Sequence, residues 1–314
     1  MPVIETFALE KSYSIGFWRK RQVAGLKPLN LAVEAGEVFG YLGPNGAGKT
    51  TTLKLLMGII FPTGGSARIL GMDIADPRMK SQIGFLPEQP YFYDYLTASE
   101  LLDYYAQLSG VPGRQRARRV QEMLGRVGMT QSARTQLRKL SKGMLQRVGI
   151  AQAILHDPKV VFLDEPMSGL DPLGRREVRD LIQSLKEEGK TVFFSTHILS
   201  DAEALCDRVA ILHKGELQGV GRVDDLTART QSRVEILFRG LEAITLLSAR
   251  GAECHATGDL VRAVIAENMQ EEVLETLRRQ GARLVSLTPL RATLEDYFIE
   301  RVGRVEKIEV GQRS

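Results

Sequence analysis

Nine residues near the start of the chain have the types and spacing to hold a phosphate chain: Gly43, Pro44, Asn45, Gly46, Ala47, Gly48, Lys49, Thr50 and Thr51. They fit the P-loop pattern of Gly, four residues, Gly, Lys and Ser or Thr. Glycines let backbone N–H groups turn inward around phosphate, and a following helix points its positive end at the same charge. Lys49 is then placed to reach the β- and γ-phosphates, and the Thr50 hydroxyl to ligate Mg²⁺. Two acids, Asp164 and Glu165, directly follow the apolar run Val160 to Leu163. Phosphoryl transfer rests on positioning and charge neutralisation, so Asp164 would hold Mg²⁺ through its water shell and Glu165 would polarise the attacking water. A third segment, Leu140, Ser141, Lys142, Gly143 and Met144, offers a hydroxyl and backbone N–H groups at a predicted helix start. Alone it is a helix cap; its place between the P-loop and the two acids gives it weight.

These residues need elements to position them. Val38 to Leu42 reads as a short apolar strand delivering the P-loop, and Thr51 to Met57 as the helix leaving it. Ile83 to Leu86, Val160 to Leu163, Thr191 to Ser195 and Arg208 to Leu212 read as further buried strands, the middle two flanking a helix over Arg175 to Glu188. Strand and helix alternate over residues 38 to 215, which predicts an α/β core with a mainly parallel sheet. Before it, Ile4 to Leu9 and Pro28 to Val33 alternate at period two, with Tyr13 and the insert Ile15 to Arg21 read as a polar, aromatic loop between them. Residues 97 to about 157 read as helical, opened by the capping-box spacing of Thr97 and Glu100. Residues 217 to about 230 read as a linker. Beyond it, strands at Val234, Leu260 and Arg283 and helices at Met269 and Leu294 predict a small α+β appendage without a catalytic cluster.

Bulk properties bound the rest. The 314 residues are 43% hydrophobic and 25% charged, with 42 Lys and Arg against 38 Asp and Glu, a net +4. That length suggests two domains, and the mild basic excess is no nucleic-acid signature. The basic runs at Arg19 to Arg21 and Arg114 to Arg119 read as solvated faces. No apolar run approaches the about 20 residues of a membrane span, and the N-terminus lacks a secretion signal. Cys206 and Cys254 stand apart, without metal or disulfide spacing, which predicts a reduced, cytoplasmic compartment.

Taken together, the motifs resemble the nucleotide-binding subunit of ABC transporters, most closely those serving ABC-2 type exporters, over roughly residues 3 to 220. Gly43 to Thr51 is similar to the family's Walker A, Leu140 to Met144 to its signature, and Val160 to Glu165 to its Walker B with the catalytic glutamate. Ser168, Gly169, Leu170 and Asp171 are similar to its D-loop, and His197 to its switch histidine. Tyr13 is the match for the aromatic that stacks on adenine, with Phe17 and Trp18 as rivals. Two departures stand out. The usual signature is Leu-Ser-Gly-Gly-Gln; here Lys142, read as facing solvent rather than adding charge to the site, and Met144, which cannot bond a ribose as Gln could, replace two members. Counting back from Leu96 and Thr97 puts Glu88, preferred over Gln89, at the family's Q-loop position, where a carboxylate could serve Mg²⁺; Gln89 would serve there only with a one-residue shift.

The resemblance implies a P-loop NTPase core of ABC ATPase type over residues 1–222. It would hold an antiparallel β subdomain and, from about 88 to 157, the Q-loop and a helical subdomain. A C-terminal α+β accessory domain follows over 223–314. It implies ATP as substrate with Mg²⁺, and a head-to-tail homodimer on ATP, or a heterodimer with a similar chain, in which the signature of one copy faces the P-loop of the other. It implies a separate integral-membrane ABC-2 type permease as partner, no nucleic acid, and a peripheral place on the inner face of the cell membrane. The run Tyr91 to Tyr95 either meets that permease or packs within the helical subdomain. The competing class is a soluble ABC-type switch acting on DNA or a ribosome, which usually carries two ATPase halves or a coiled-coil insertion.

Overall fold

The structure is a computed structural model, described here for residues 1–16, 21–228, 233–290 and 292–301. It divides into two compact units, Met1–Arg222 and a second beginning at Val223, and the P-loop and both acids lie in the first.

The chain opens with two long antiparallel strands, β1 (Pro2–Ile15) and β2 (Arg21–Glu34). After β3 (Val38–Leu42) and helix α1 (Lys49–Leu56), β4 (Gly64–Ile69) and β5 (Met72–Asp73) complete a four-stranded sheet in the order β2-β1-β4-β5. Tyr13 is therefore not in a loop, as its polar neighbours suggested. It sits in β1 opposite Val23, in a ladder that three register shifts keep paired between Thr6 and Ser12.

The central sheet of the first unit collects β6 (Ile83–Leu86), β7 (Val160–Asp164), β8 (Thr191–Thr196), β9 (Arg208–His213) and β10 (Glu216–Arg222) around β3, in the order β10-β9-β3-β8-β7-β6. All neighbours are parallel except β10, which runs antiparallel to β9 along one edge. Every residue of β3, β7 and β8 is buried, as strands covered on both faces must be. Alternate side chains serve opposite cores. Phe39, Tyr41, Phe162 and Phe193 pack toward the antiparallel sheet with Ile4, Leu31 and Leu53. Val38, Val161, Leu163, Val192 and Phe194 pack toward the helices. Phe193 lies at the centre of the first set, 5.3–5.6 Å from the rings of Tyr41, Phe39 and Phe162.

The helical side comprises α2 (Ala98–Leu108), α3 (Gly113–Arg126), α4 (Lys142–Ile154), α5 (Pro172–Glu187) and α6 (Leu199–Leu205). The capping box at the start of α2 is present in both directions: Thr97 Oγ1 accepts from the Glu100 N–H, and Glu100 accepts from the Thr97 N–H at 2.8 Å.

Residues 217 to 228 are not a linker. β10 and the helix α7 (Val223–Ala228) occupy them. The second unit continues with β11 (Arg233–Arg239), α8 (Ala243–Ser248), β12 (Glu253–Thr257), β13 (Leu260–Ala266), α9 (Gln270–Arg279) and β14 (Arg283–Leu290). Its antiparallel sheet has the order β12-β13-β11-β14. Val234, Ile236, Phe238, Val261 and Ile265 form one buried face, which packs on Leu247 of α8 and on Val273 and Leu277 of α9. A closing helix begins at Leu294, capped by Thr293, whose hydroxyl and N–H both donate to Asp296 Oδ2.

Candidate functional site

β3 delivers the P-loop and α1 leaves it, as the strand–loop–helix motif requires. Two glycines are there because the backbone has no room for a side chain. A methyl group on Gly43 would overlap the Leu212 carbonyl of β9. One on Gly48, at φ 107°, would lie 2.5 Å from the Gly25 carbonyl of β2. The loop is thus fitted between β9 and β2. It lines a cleft of about 320 Å³ shared by Asn45 through Thr51 with Gly25, Glu88 and Glu165.

Lys49 folds back over the loop. Its ammonium donates to the Gly43 carbonyl at 2.7 Å and the Pro44 carbonyl at 3.3 Å, and lies 3.2 Å from Glu165 Oε1. Both side chains are over nine-tenths buried. The parallel register of β7 and β8 sets Asp164 beside Ser195. Asp164 accepts from the Thr50 hydroxyl at 3.0 Å through Oδ2 and from the Ser195 hydroxyl through Oδ1. Beneath α1, burial pushes the Tyr41 phenol well above its ordinary pKa, and its hydroxyl meets Thr52 Oγ1 at 3.1 Å.

Glu165 has φ 49°, in the left-handed region that a non-glycine residue enters at a cost of about 1–2 kcal/mol. Its N–H holds it there, donating to the Ser195 carbonyl at 3.2 Å and the Ser195 hydroxyl at 3.1 Å. The turned backbone leaves Oε1 on Lys49 and Oε2 2.9 Å from His197 Nδ1. One carboxylate therefore joins the P-loop lysine to the histidine at the end of β8.

Other sequence-predicted residues fall around this centre. Glu88 lines the cleft and Gln89 does not. Tyr13 is about one-third exposed and its ring covers Gly25, so closely that a methyl group there would lie 2.5 Å from Tyr13 Cε2. The Lys11 ammonium stands 5.5 Å from the same ring. Phe17 and Trp18 lie outside the described residues. Ser141 is the N-cap of α4, accepting from the Met144 N–H at 3.3 Å, while Leu140 is buried and Met144 packs partly into the helical core. Lys142 is exposed, and its ammonium lies over Gly169. Leu170 is buried, Asp171 caps α5 by accepting from the Gly174 N–H at 2.8 Å, and Ser168 N–H donates to the Glu165 carbonyl at 3.1 Å. None of the residues 140–144 or 168–171 lines the P-loop cleft of the same chain.

Two residues of this site escaped the sequence. Gly25 lies in no motif, and only the approach of β2 to the P-loop makes it matter. Ser195 read as one more strand residue; its role follows from the strand register opposite Asp164.

Comparison with known proteins gives the family. The ABC transporter family pattern matches residues 26–168. An uncharacterized ABC transporter ATP-binding protein of Synechocystis is 47% identical over 96% of this chain and 84% of its own length. The bacitracin transport ATP-binding protein BcrA of Bacillus licheniformis is 37% identical over 88% of this chain and 91% of its own. Among solved structures, the ATP-binding cassette MJ0796, a dimer in a post-hydrolysis state with ADP and Pi, is 27% identical with a TM-score of 0.64, covering 70% of this chain and 98% of that one. A P-loop cleft with Glu165 between lysine and histidine, on a cassette fold shared with these proteins, places the chain in a family: it belongs to the ABC transporter ATP-binding proteins and is an ATPase.

Proposed function

We propose that this ATPase powers export through a separate integral-membrane permease of the ABC-2 type, working at the cytoplasmic face of the cell membrane. We propose further that ATP closes two copies, or this chain and a similar one, head to tail. The observation that carries the reading is a division within the chain. Lys49, Thr50 and Glu165 line one cleft, with Asp164 bonded to Thr50 and His197 bonded to Glu165, while Ser141 and Gly143 open a different helix and neither line that cleft nor bond to those residues. A second copy brings the Ser141 hydroxyl and the start of its α4 to the γ-phosphate, with the D-loop Ser168 to Asp171 beside it, and two-fold symmetry completes both sites.

In this reading Lys49 leaves Glu165 and the loop carbonyls for the β- and γ-phosphates. Glu165 is then free to accept a proton from the attacking water, with His197 fixing the carboxylate through Oε2. The N–H groups of Gly43 through Thr51 wrap the phosphates, and Tyr13 stacks on adenine. Asp164, Thr50 and Glu88 are the residues for Mg²⁺. The fit is chemical: Asp164 is buried with both oxygens on hydroxyls, a carboxylate and hydroxyl set suited to a hard cation. Bound there, Mg²⁺ would offset phosphate charge.

The transport reading draws on the names of relatives, among them bacitracin transport ATP-binding proteins. No described helix is long and apolar enough to cross a membrane, so the moving path would belong to a partner. Tyr91, Tyr93 and Tyr95 are all more than half exposed, with the Tyr93 ring tilted against Tyr95 and edge-on to Tyr104, which suits a protein contact better than internal packing. The test is purification of the tagged chain from its native membranes in mild detergent. A stoichiometric membrane protein with about six apolar spans, whose addition stimulates ATP hydrolysis, is expected. Recovery with nucleic acid or ribosomes in its place would refute the reading.

A further inference from the structure

We propose that Arg175 and Asp201 form a positioning link between the D-loop and the helix behind His197, and that this link sets the geometry in which Glu165 and His197 act. The proposal rests on the roles given above to His197 and the D-loop.

Asp201 lies in the first turn of α6, four residues after His197, and is 3% exposed. Its Oδ2 has no hydrogen-bond partner among the described residues. Two guanidinium groups flank it from one face of α5. Arg175 Nη1 is 3.9 Å from Oδ2 and Arg179 Nη1 is 3.9 Å from Oδ1. Those distances allow attraction but no hydrogen bond, and a buried carboxylate left without a donor is unfavourable. A shift of about 1 Å would bring either arginine into bonding range.

The two arginines differ in one respect. Only Arg175 also holds the D-loop, donating from Nε to the Leu170 carbonyl at 3.3 Å. Asp171 caps α5 and Pro172 opens it, so the D-loop and the first turns of α5 move together. Engagement of the D-loop by a second copy therefore carries Arg175 onto Asp201. The closed pair fixes the start of α6, and with it the His197 ring on Glu165 Oε2. Arg175 is thus a positioning residue for hydrolysis, whereas Arg179 only screens the buried acid.

Four single variants and one double variant of the purified chain test this, each read by kcat, KM for ATP and melting temperature. Arg175→Met and Asp201→Asn should lower kcat by about tenfold or more at unchanged KM, the size expected from misplaced catalytic groups. Asp201→Glu, which keeps the charge and extends toward both arginines, should retain most of the wild-type kcat. Arg179→Met should lower the melting temperature as Arg175→Met does, yet keep kcat. The double variant Arg175→Met/Asp201→Asn should be no slower than either single one. Equal loss of kcat in the two arginine variants, or a raised KM with kcat intact, would overturn the link. The comparison needs no permease, so a failure to find an exporter partner leaves it fully readable.

Discussion

Replacing Ser195 by Ala removes one oxygen atom at the point where the acids Asp164 and Glu165 meet. Ser195 is fully buried, and its hydroxyl serves both of them, donating to Asp164 Oδ1 and accepting from the Glu165 N–H. Glu165 keeps a second acceptor in the Ser195 carbonyl, so its backbone is not orphaned. Asp164 has no such reserve. It is 2% exposed, and its other oxygen already accepts from Thr50. The loss is therefore that of one hydrogen bond to a buried charge, about 1.5–3 kcal/mol. For a unit of this size each kcal/mol corresponds to a shift of about 2–4 °C, so the melting temperature should fall by about 3–12 °C. Scanning calorimetry of the nucleotide-free chain reads this directly. ATP hydrolysis should fall as well, because Asp164 loses the contact that orients it toward Thr50. A melting temperature within about 1 °C of wild type would refute the claim that this hydroxyl holds the carboxylate.

Three further outcomes follow from the same geometry. Lys49→Ala removes the cation that bridges the loop carbonyls and Glu165, so ATP binding or turnover should drop sharply; an unchanged ATPase rate would remove Lys49 from its role. Glu88→Gln should lower activity only mildly if an amide can replace the carboxylate at the cleft wall, whereas complete loss would mean that the acid does something an amide cannot. Thr97→Ala breaks the capping box of α2 at a cost of about 1 kcal/mol, measurable as a melting shift of about 2–4 °C with ATP affinity intact.

The chemistry of this chain was legible because it is carried by short strings. Gly43 to Thr51 follow β3, Asp164 and Glu165 close and follow β7, and His197 follows β8, three strands that are buried throughout, so pattern and position agree. What was missed depends on pairing rather than on local pattern. β10 has only half-buried and exposed residues over Glu216 to Arg222, two of them glycine, because it lies at a sheet edge against one neighbour; it therefore carries no apolar alternation and read as a linker. β12 is another lightly buried edge strand. Tyr13 read as loop because bulges interrupt the period of β1 between Thr6 and Ser12. Gly25, Ser195 and Asp201 matter through partners 23, 31 and 26 positions away, at Gly48, Asp164 and Arg175, and no window of sequence displays such contacts.

The central claim is that ATP binds two chains together, each completing the other's site. The direct measurement is the mass of the Glu165→Gln chain in solution with and without ATP, by light scattering, because this change removes the charge proposed to activate water while leaving Lys49 free to hold the nucleotide. The account predicts the 34.9 kDa mass of one chain without ATP and the mass of two with it. A chain that binds ATP yet stays at one-chain mass, alone and when supplied with a similar partner chain, would contradict it.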